Sequence, residues 1–158
     1  MSRLDSMLRR LAAQRDGLNW AAERIAPMDG DVLDMGLGNG RTYDHLRETL
    51  PTRRIWVMDR VLQCHPSCTP PEADFLQGEA EPMLRKLAQS GHRIALAHYD
   101  FGRGIKEEDV AEAARLSPLI AQVMVPGGYL ISGQPLVGFE QVKGPDSIAP
   151  DRYLFYRA

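Results

Sequence analysis

The run Val32-Leu33-Asp34-Met35-Gly36-Leu37-Gly38-Asn39-Gly40-Arg41 limits the possible folds of this chain more than any other segment. Apolar residues that end beside a carboxylate read as a strand, the glycines as a tight loop, and the next segment as a helix. Glycine has no Cβ, so such a loop turns sharply and lets backbone approach a ligand closely. Placed between a strand and a helix amino terminus, it lies where an α/β sheet receives nucleotide-like ligands. The glycines stand at relative positions 1, 3 and 5, and Arg41 occupies position 6. A dinucleotide fingerprint places them at 1, 3 and 6, so a nicotinamide oxidoreductase is a poorer match, though still an alternative. The plainest alternative is a glycine-rich turn that binds nothing.

Further along, the chain continues the same pattern. Residues 3–25 carry Leu4, Met7, Leu8, Leu11, Leu18, Ala21, Ala22 and Ile25 at helical spacing, which predicts one helix or a pair divided at Gly17. Strands are expected at about 31–35, 55–59, 74–77, 94–98 and 129–132. Helices are expected over 41–50, 79–90 and 106–125, the last in two pieces, with Ser117-Pro118 as an internal cap and first turn. Pro66, Pro70 and Pro71 reduce 60–73 to a short helix and a loop. Pro126-Gly127-Gly128 reads as a turn into the fifth strand, and two more strands are expected near 138–142 and 152–157. Helices alternating with apolar strands define an α/β, three-layer, mostly parallel sheet.

Composition excludes several function classes. A chain of 158 residues with 44% hydrophobic and 25% charged residues is that of an ordinary globular protein, here expected to be one domain over 1–158. A net charge of −2 gives no footprint for a nucleic-acid partner. No stretch is apolar enough for a membrane span or a secretory signal. Cys64 and Cys68 are too few for a disulfide scaffold, so the expected location is cytoplasmic. With His65 they offer only three clustered ligands, and a structural zinc site needs four, so no metal is expected.

The pattern Asp34-x-Gly36-x-Gly38-x-Gly40 resembles the first motif of class I S-adenosylmethionine-dependent methyltransferases, and within them a small group of bacterial proteins known only by that activity. The resemblance covers roughly 30–135, and the tail less distinctly. It implies a Rossmann-like fold with seven strands ending in an antiparallel hairpin, here with the helix between strands five and six shortened or missing. It implies S-adenosylmethionine as cofactor, with Gly36, Leu37, Gly38 and Gly40 at its methionine end. Asp34 would neutralise the α-ammonium, which NAD lacks.

At the end of strand two, Asp59 matches the acid that takes the ribose hydroxyls. Arg60 would lie by the adenine face, where the family more often has an apolar residue. Gly78, Glu79 and Ala80 match the adenine-binding turn. Strand four ends in His98-Tyr99-Asp100-Phe101-Gly102, where the family contacts the methionine moiety and faces the acceptor. His98 is expected at the cofactor, and His98 and Asp100 are the candidate groups for a nucleophilic amine or hydroxyl; strand and helix capping is their bland alternative. The prolines of the amino-methyltransferase signature are absent there.

The expected acceptor is a small molecule, residues 1–28 are expected to form a helical lid closing over the cofactor through Trp20, and a lid this short suggests a homo-oligomer. A non-catalytic module that binds S-adenosylmethionine or S-adenosylhomocysteine remains the other reading.

Overall fold

The computed structural model describes residues 1–158. Chain order is α1 (Arg3–Ile25), β1 (Asp31–Met35), α2 (Arg41–Thr49), β2 (Ile55–Asp59), β3 (Phe75–Gln77), α3 (Ala80–Gln89), β4 (Ile94–Tyr99), α4 (Lys106–Val123), β5 (Met124–Ser132), β6 (Glu140–Val142) and β7 (Leu154–Arg157). Two 3-10 turns, Pro66–Cys68 and Glu72–Asp74, lie between β2 and β3.

The sheet order is β3-β2-β1-β4-β5-β7-β6. Strands β1 to β5 pair in parallel, and β7 runs antiparallel to both β5 and β6. From β1 the chain builds outward through β2 and β3, then returns to the other side of β1 as β4. That reversal opens a crevice at the carboxyl ends of β1 and β4.

Side chains alternate across a strand, so each strand feeds two cores. Leu33, Met35, Trp56 and Met58 pack under Leu84 and Leu87 of α3 and Leu116 and Ile120 of α4. Val32, Val57 and Leu96 pack under Leu18, Ala21 and Ile25 of α1 and Tyr43 and Leu46 of α2. Burial on both faces explains why β1, β2 and β4 read as nearly continuous apolar runs.

Several expectations are corrected. Gly17 does not divide α1, so of the two readings of 3–25 the single helix holds. A Cβ at Gly17 would lie 3.3 Å from the Phe155 ring, so the glycine serves helix-on-sheet packing. Nor does Ser117-Pro118 divide α4. The Ser117 hydroxyl donates to the Ala113 carbonyl at 2.7 Å and accepts from the Val137 amide at 2.9 Å, and burial of Leu116, Leu119, Ile120 and Val123 carries the helix past the proline. Strand β5 starts at Met124 and absorbs Pro126-Gly127-Gly128 as an irregularity, since the pairing with β4 shifts between Ile94 and Leu96.

No helix separates β5 from β6. The connection is pinned instead by the Leu136 amide donating to the Tyr156 hydroxyl at 3.1 Å. No helix is long and apolar enough to cross a membrane.

Candidate active site

A cavity of about 780 Å³ lies at the carboxyl ends of the parallel strands. Its floor is the glycine loop. Three backbone hydrogen bonds set that loop: the Gly36 amide donates to the Met58 carbonyl, the Asp100 amide to the Met35 carbonyl, and the Gly40 amide to the Leu37 carbonyl. The three glycines then take different roles. A Cβ at Gly36 would sit 2.9 Å from the Asp100 carbonyl oxygen, so glycine is what lets β1 end against the exit of β4.

Gly40 has φ +84° and caps α2, and a Cβ there would meet the Cys68 Cβ at 2.5 Å and the Cys64 Cβ at 3.1 Å. Gly40 therefore packs against the cysteine-bearing loop and does not line the cavity. A Cβ at Gly38 would meet nothing within 4 Å, and Gly36, Leu37 and Gly38 all line the cavity. Open space above a backbone cradle is what a close-lying cofactor requires.

Asp59 ends β2 at the cavity wall. One of its oxygens accepts from the Leu37 amide at 2.9 Å and the Gly38 amide at 3.2 Å. The other has only the Val61 amide, at 3.4 Å. The carboxylate thus anchors the glycine loop and keeps acceptor capacity for a ligand. Beside it Arg60 and Glu79 form an exposed ion pair at 3.7 Å, and Gly78, Glu79 and Ala80 line the same end of the cavity.

Asp34 is corrected. It is completely buried and does not line the cavity. It shares a face with Val32, under α1 and α2, and its register partner on β4 is His98. Its oxygens accept from the Thr42 hydroxyl at 3.0 Å and from His98 Nδ1 at 2.8 Å. Both Asp34 oxygens are thus bonded within the protein, away from the cavity where the ammonium pairing was expected. His98 is equally buried and also off the cavity wall. Burial pulls its imidazole down, but the hydrogen bond and charge of Asp34, with the charge of Asp100, outweigh burial and hold it above its ordinary value.

Asp100, by contrast, lines the cavity with its side chain about one-fifth exposed. It accepts from Gln14 Nε2 at 3.0 Å, Arg10 Nη2 at 3.3 Å and the Tyr153 hydroxyl at 3.3 Å. The lid contact therefore comes from the amino-terminal half of α1, where Met7, Arg10, Leu11 and Gln14 face the cavity. Trp20 is not part of it. Its ring packs edge-on against Tyr129 and Phe155, with Arg24 over it.

Sequence reading missed Thr42, Tyr153, Gln14 and Arg10. For the last two a signal existed: polar residues at positions i and i+4 flank the apolar stripe of α1. Tyr153 precedes an alternating strand and looks like core.

The fold and this cavity define a Rossmann-like α/β enzyme that takes a nucleoside-bearing cofactor at its strand ends. The chain belongs to the S-adenosyl-L-methionine methyltransferase family, which matches it over residues 1–158. A crystal structure of an S-adenosyl-L-methionine methyl transferase from Silicibacter pomeroyi DSS-3 is similar, with 34% identity, 99% of this chain and 98% of that chain covered, and a TM-score of 0.93.

More distant structures share the fold. Human Methyltransferase-like protein 13 in complex with SAH is 10% identical, covering 95% of this chain and 80% of that one, at a TM-score of 0.56. TrmN from Thermus thermophilus is 17% identical, covering 88% and 46%, at 0.53. No protein of curated function matches. The chain is thus an S-adenosylmethionine-dependent methyltransferase, whose product from the cofactor is S-adenosylhomocysteine (SAH).

Proposed function

We propose that this enzyme methylates a nitrogen or oxygen atom of a small molecule, with Asp100 facing the acceptor. Asp59 would hold the ribose, Arg60, Gly78, Glu79 and Ala80 the adenine, and Gly36, Leu37 and Gly38 the methionine end. When bound, the cofactor supplies a methyl carbon on a positively charged sulfur, and the carbon–sulfur bond breaks with its electron pair left on sulfur. Asp100 hydrogen-bonds the acceptor's N–H or O–H and takes its proton as the new bond to carbon forms. Alignment and exclusion of water do the rest, and such orientation is worth as much as ~7–11 kcal/mol.

The observation that carries this reading is the position of Asp100. It is a partly exposed carboxylate on the cavity wall, beside the glycine loop and held by three donors. The test measures radiolabelled methyl transfer from S-adenosylmethionine to pools of small amines and hydroxyl compounds. Asp100→Ala is expected to lower transfer at least about 100-fold, within the usual range for a general base, while SAH affinity stays within about threefold. Transfer at the wild-type rate would contradict the assignment.

The enzyme is further proposed to be a cytoplasmic homo-oligomer with no nucleic-acid or membrane partner. Cys64 and Cys68 are free thiols, which suits a reducing compartment. Leu4, Met7 and Leu8 on the lid helix are 68%, 49% and 56% exposed, an apolar face that a second subunit would cover. Light scattering should give a multiple of the 17.7 kDa chain mass; a monomer mass at micromolar concentration would contradict it.

A further inference from the structure

Two residues apart at the end of β4, His98 is sealed inside the protein and Asp100 stands at the cavity. The group between them is the hydroxyl of Tyr153, which immediately precedes β7. It lies 2.9 Å from Gln14 Nε2, 3.3 Å from His98 Nε2 and 3.3 Å from Asp100 Oδ1. The Tyr153 and His98 rings are nearly parallel, at 14°.

A phenol has one proton to give and accepts through its oxygen lone pairs. The Gln14 amide nitrogen can only donate, and the Asp100 carboxylate can only accept. One arrangement satisfies all three neighbours. Tyr153 donates to Asp100, and its lone pairs accept from Gln14 and from His98. His98 then donates from both ring nitrogens, Nδ1 to Asp34 and Nε2 to Tyr153. Charges alternate along the chain: Asp34 negative, His98 positive, Asp100 negative, Arg10 positive. No buried side-chain nitrogen or oxygen is left without a partner.

We propose that Tyr153 is a positioning residue: with His98 and Asp34 behind it, its hydroxyl fixes the Asp100 carboxylate that faces the methyl acceptor. The inference rests on the reading of Asp100 given above. It joins three distant parts of the chain at one oxygen pair, since α1 brings Arg10 and Gln14, β4 brings Asp100, and the chain entering β7 brings Tyr153. The Asp100 carboxylate cannot rotate without losing one of these donors. Burial and the Asp100 charge push the Tyr153 phenol far above its usual range, so it stays a donor. The groups facing His98 are Asp34 from β1, Tyr153 ahead of β7, Asp100 beyond β4, and Arg10 from α1.

The test uses the full chain and two variants. Tyr153→Phe keeps the ring and removes only the hydroxyl; Asp100→Asn removes the charge from the other end. Nitrogen-detected NMR follows the His98 ring against pH, and calorimetry follows SAH binding. In the wild type His98 should titrate above the ordinary histidine value. In each variant it should titrate at least about one pH unit lower, with SAH affinity within about threefold.

Where the acceptor pools yield product, Tyr153→Phe should lower kcat about tenfold and leave KM for S-adenosylmethionine unchanged. A tyrosine that merely fills space would move neither the titration nor kcat. A wild-type-like His98 titration in Tyr153→Phe, with SAH bound normally, would overturn the inference alone. Retained transfer in Asp100→Ala would overturn the functional reading beneath it.

Discussion

Replacing His98 with alanine is expected to destabilise the protein by about 3–5 kcal/mol, a large share of the ~5–15 kcal/mol that holds a typical domain folded. The cost arises at Asp34, which has no exposure to water and would keep only the Thr42 hydroxyl as a partner. A charge left in that position loses its hydration without compensation. Urea denaturation measures the effect. Adding Asp34→Asn to His98→Ala removes the charge along with its partner, so the double variant should be more stable than the single one. A single variant within 1 kcal/mol of wild type, by the same scale, would show that the pair is not a buried ion pair.

The same contact makes stability depend on pH. The folded-state value of His98 is raised, so the folded protein binds the proton more tightly than the unfolded chain. The contribution is complete below about pH 6.5, the unfolded value. It is lost as pH rises through the higher folded value. The melting temperature should therefore decline as pH rises above about 6.5, and His98→Asn, which cannot titrate, should flatten that decline.

The second large effect is on the cofactor. Asp59→Ala is expected to weaken SAH binding about 100-fold, measured by calorimetry. Hydrogen bonds to a charged group are worth about 1.5–3 kcal/mol each, and tenfold in affinity corresponds to about 1.4 kcal/mol. The variant loses the ribose acceptor and also the anchor for the Leu37 and Gly38 amides. Asp59→Asn keeps an acceptor oxygen but loses the charge, so its affinity should fall in between. Binding within twofold of wild type in Asp59→Ala would remove Asp59 from the cofactor site.

The path of the chain was largely legible because apolar continuity and glycine spacing are local signals. Strands β1 and β2 match their expected limits, as does the shortening between β5 and β6. The misreadings and the choices left open share a cause: each depends on what lies across the fold. Gly17 resembles a helix break until Phe155 is placed against it. Pro118 resembles a helix start until the burial around it is known. Gly38 and Gly40 have the same spacing in the motif, yet one opens to the cavity and the other packs on Cys68.

Asp34 shows the limit most sharply. A motif places the acid one residue before the end of β1, and strand alternation sends its side chain under the α1 and α2 layer. Its partner His98 is 64 residues away in sequence. Neither residue alone announces that pairing. Asp59 and Asp100 were legible because both sit at strand carboxyl ends, where polar residues interrupt apolar runs.

The most direct test is a crystal structure of the complex with SAH. The ribose hydroxyls should lie within hydrogen-bond distance of Asp59, the adenine beside Glu79 and Ala80, and the sulfur should face the space in front of Asp100. Asp34 should still be paired with His98 and make no contact with the ligand. SAH bound away from Asp59, or an Asp34 carboxylate turned out to meet the ligand ammonium, would contradict this arrangement.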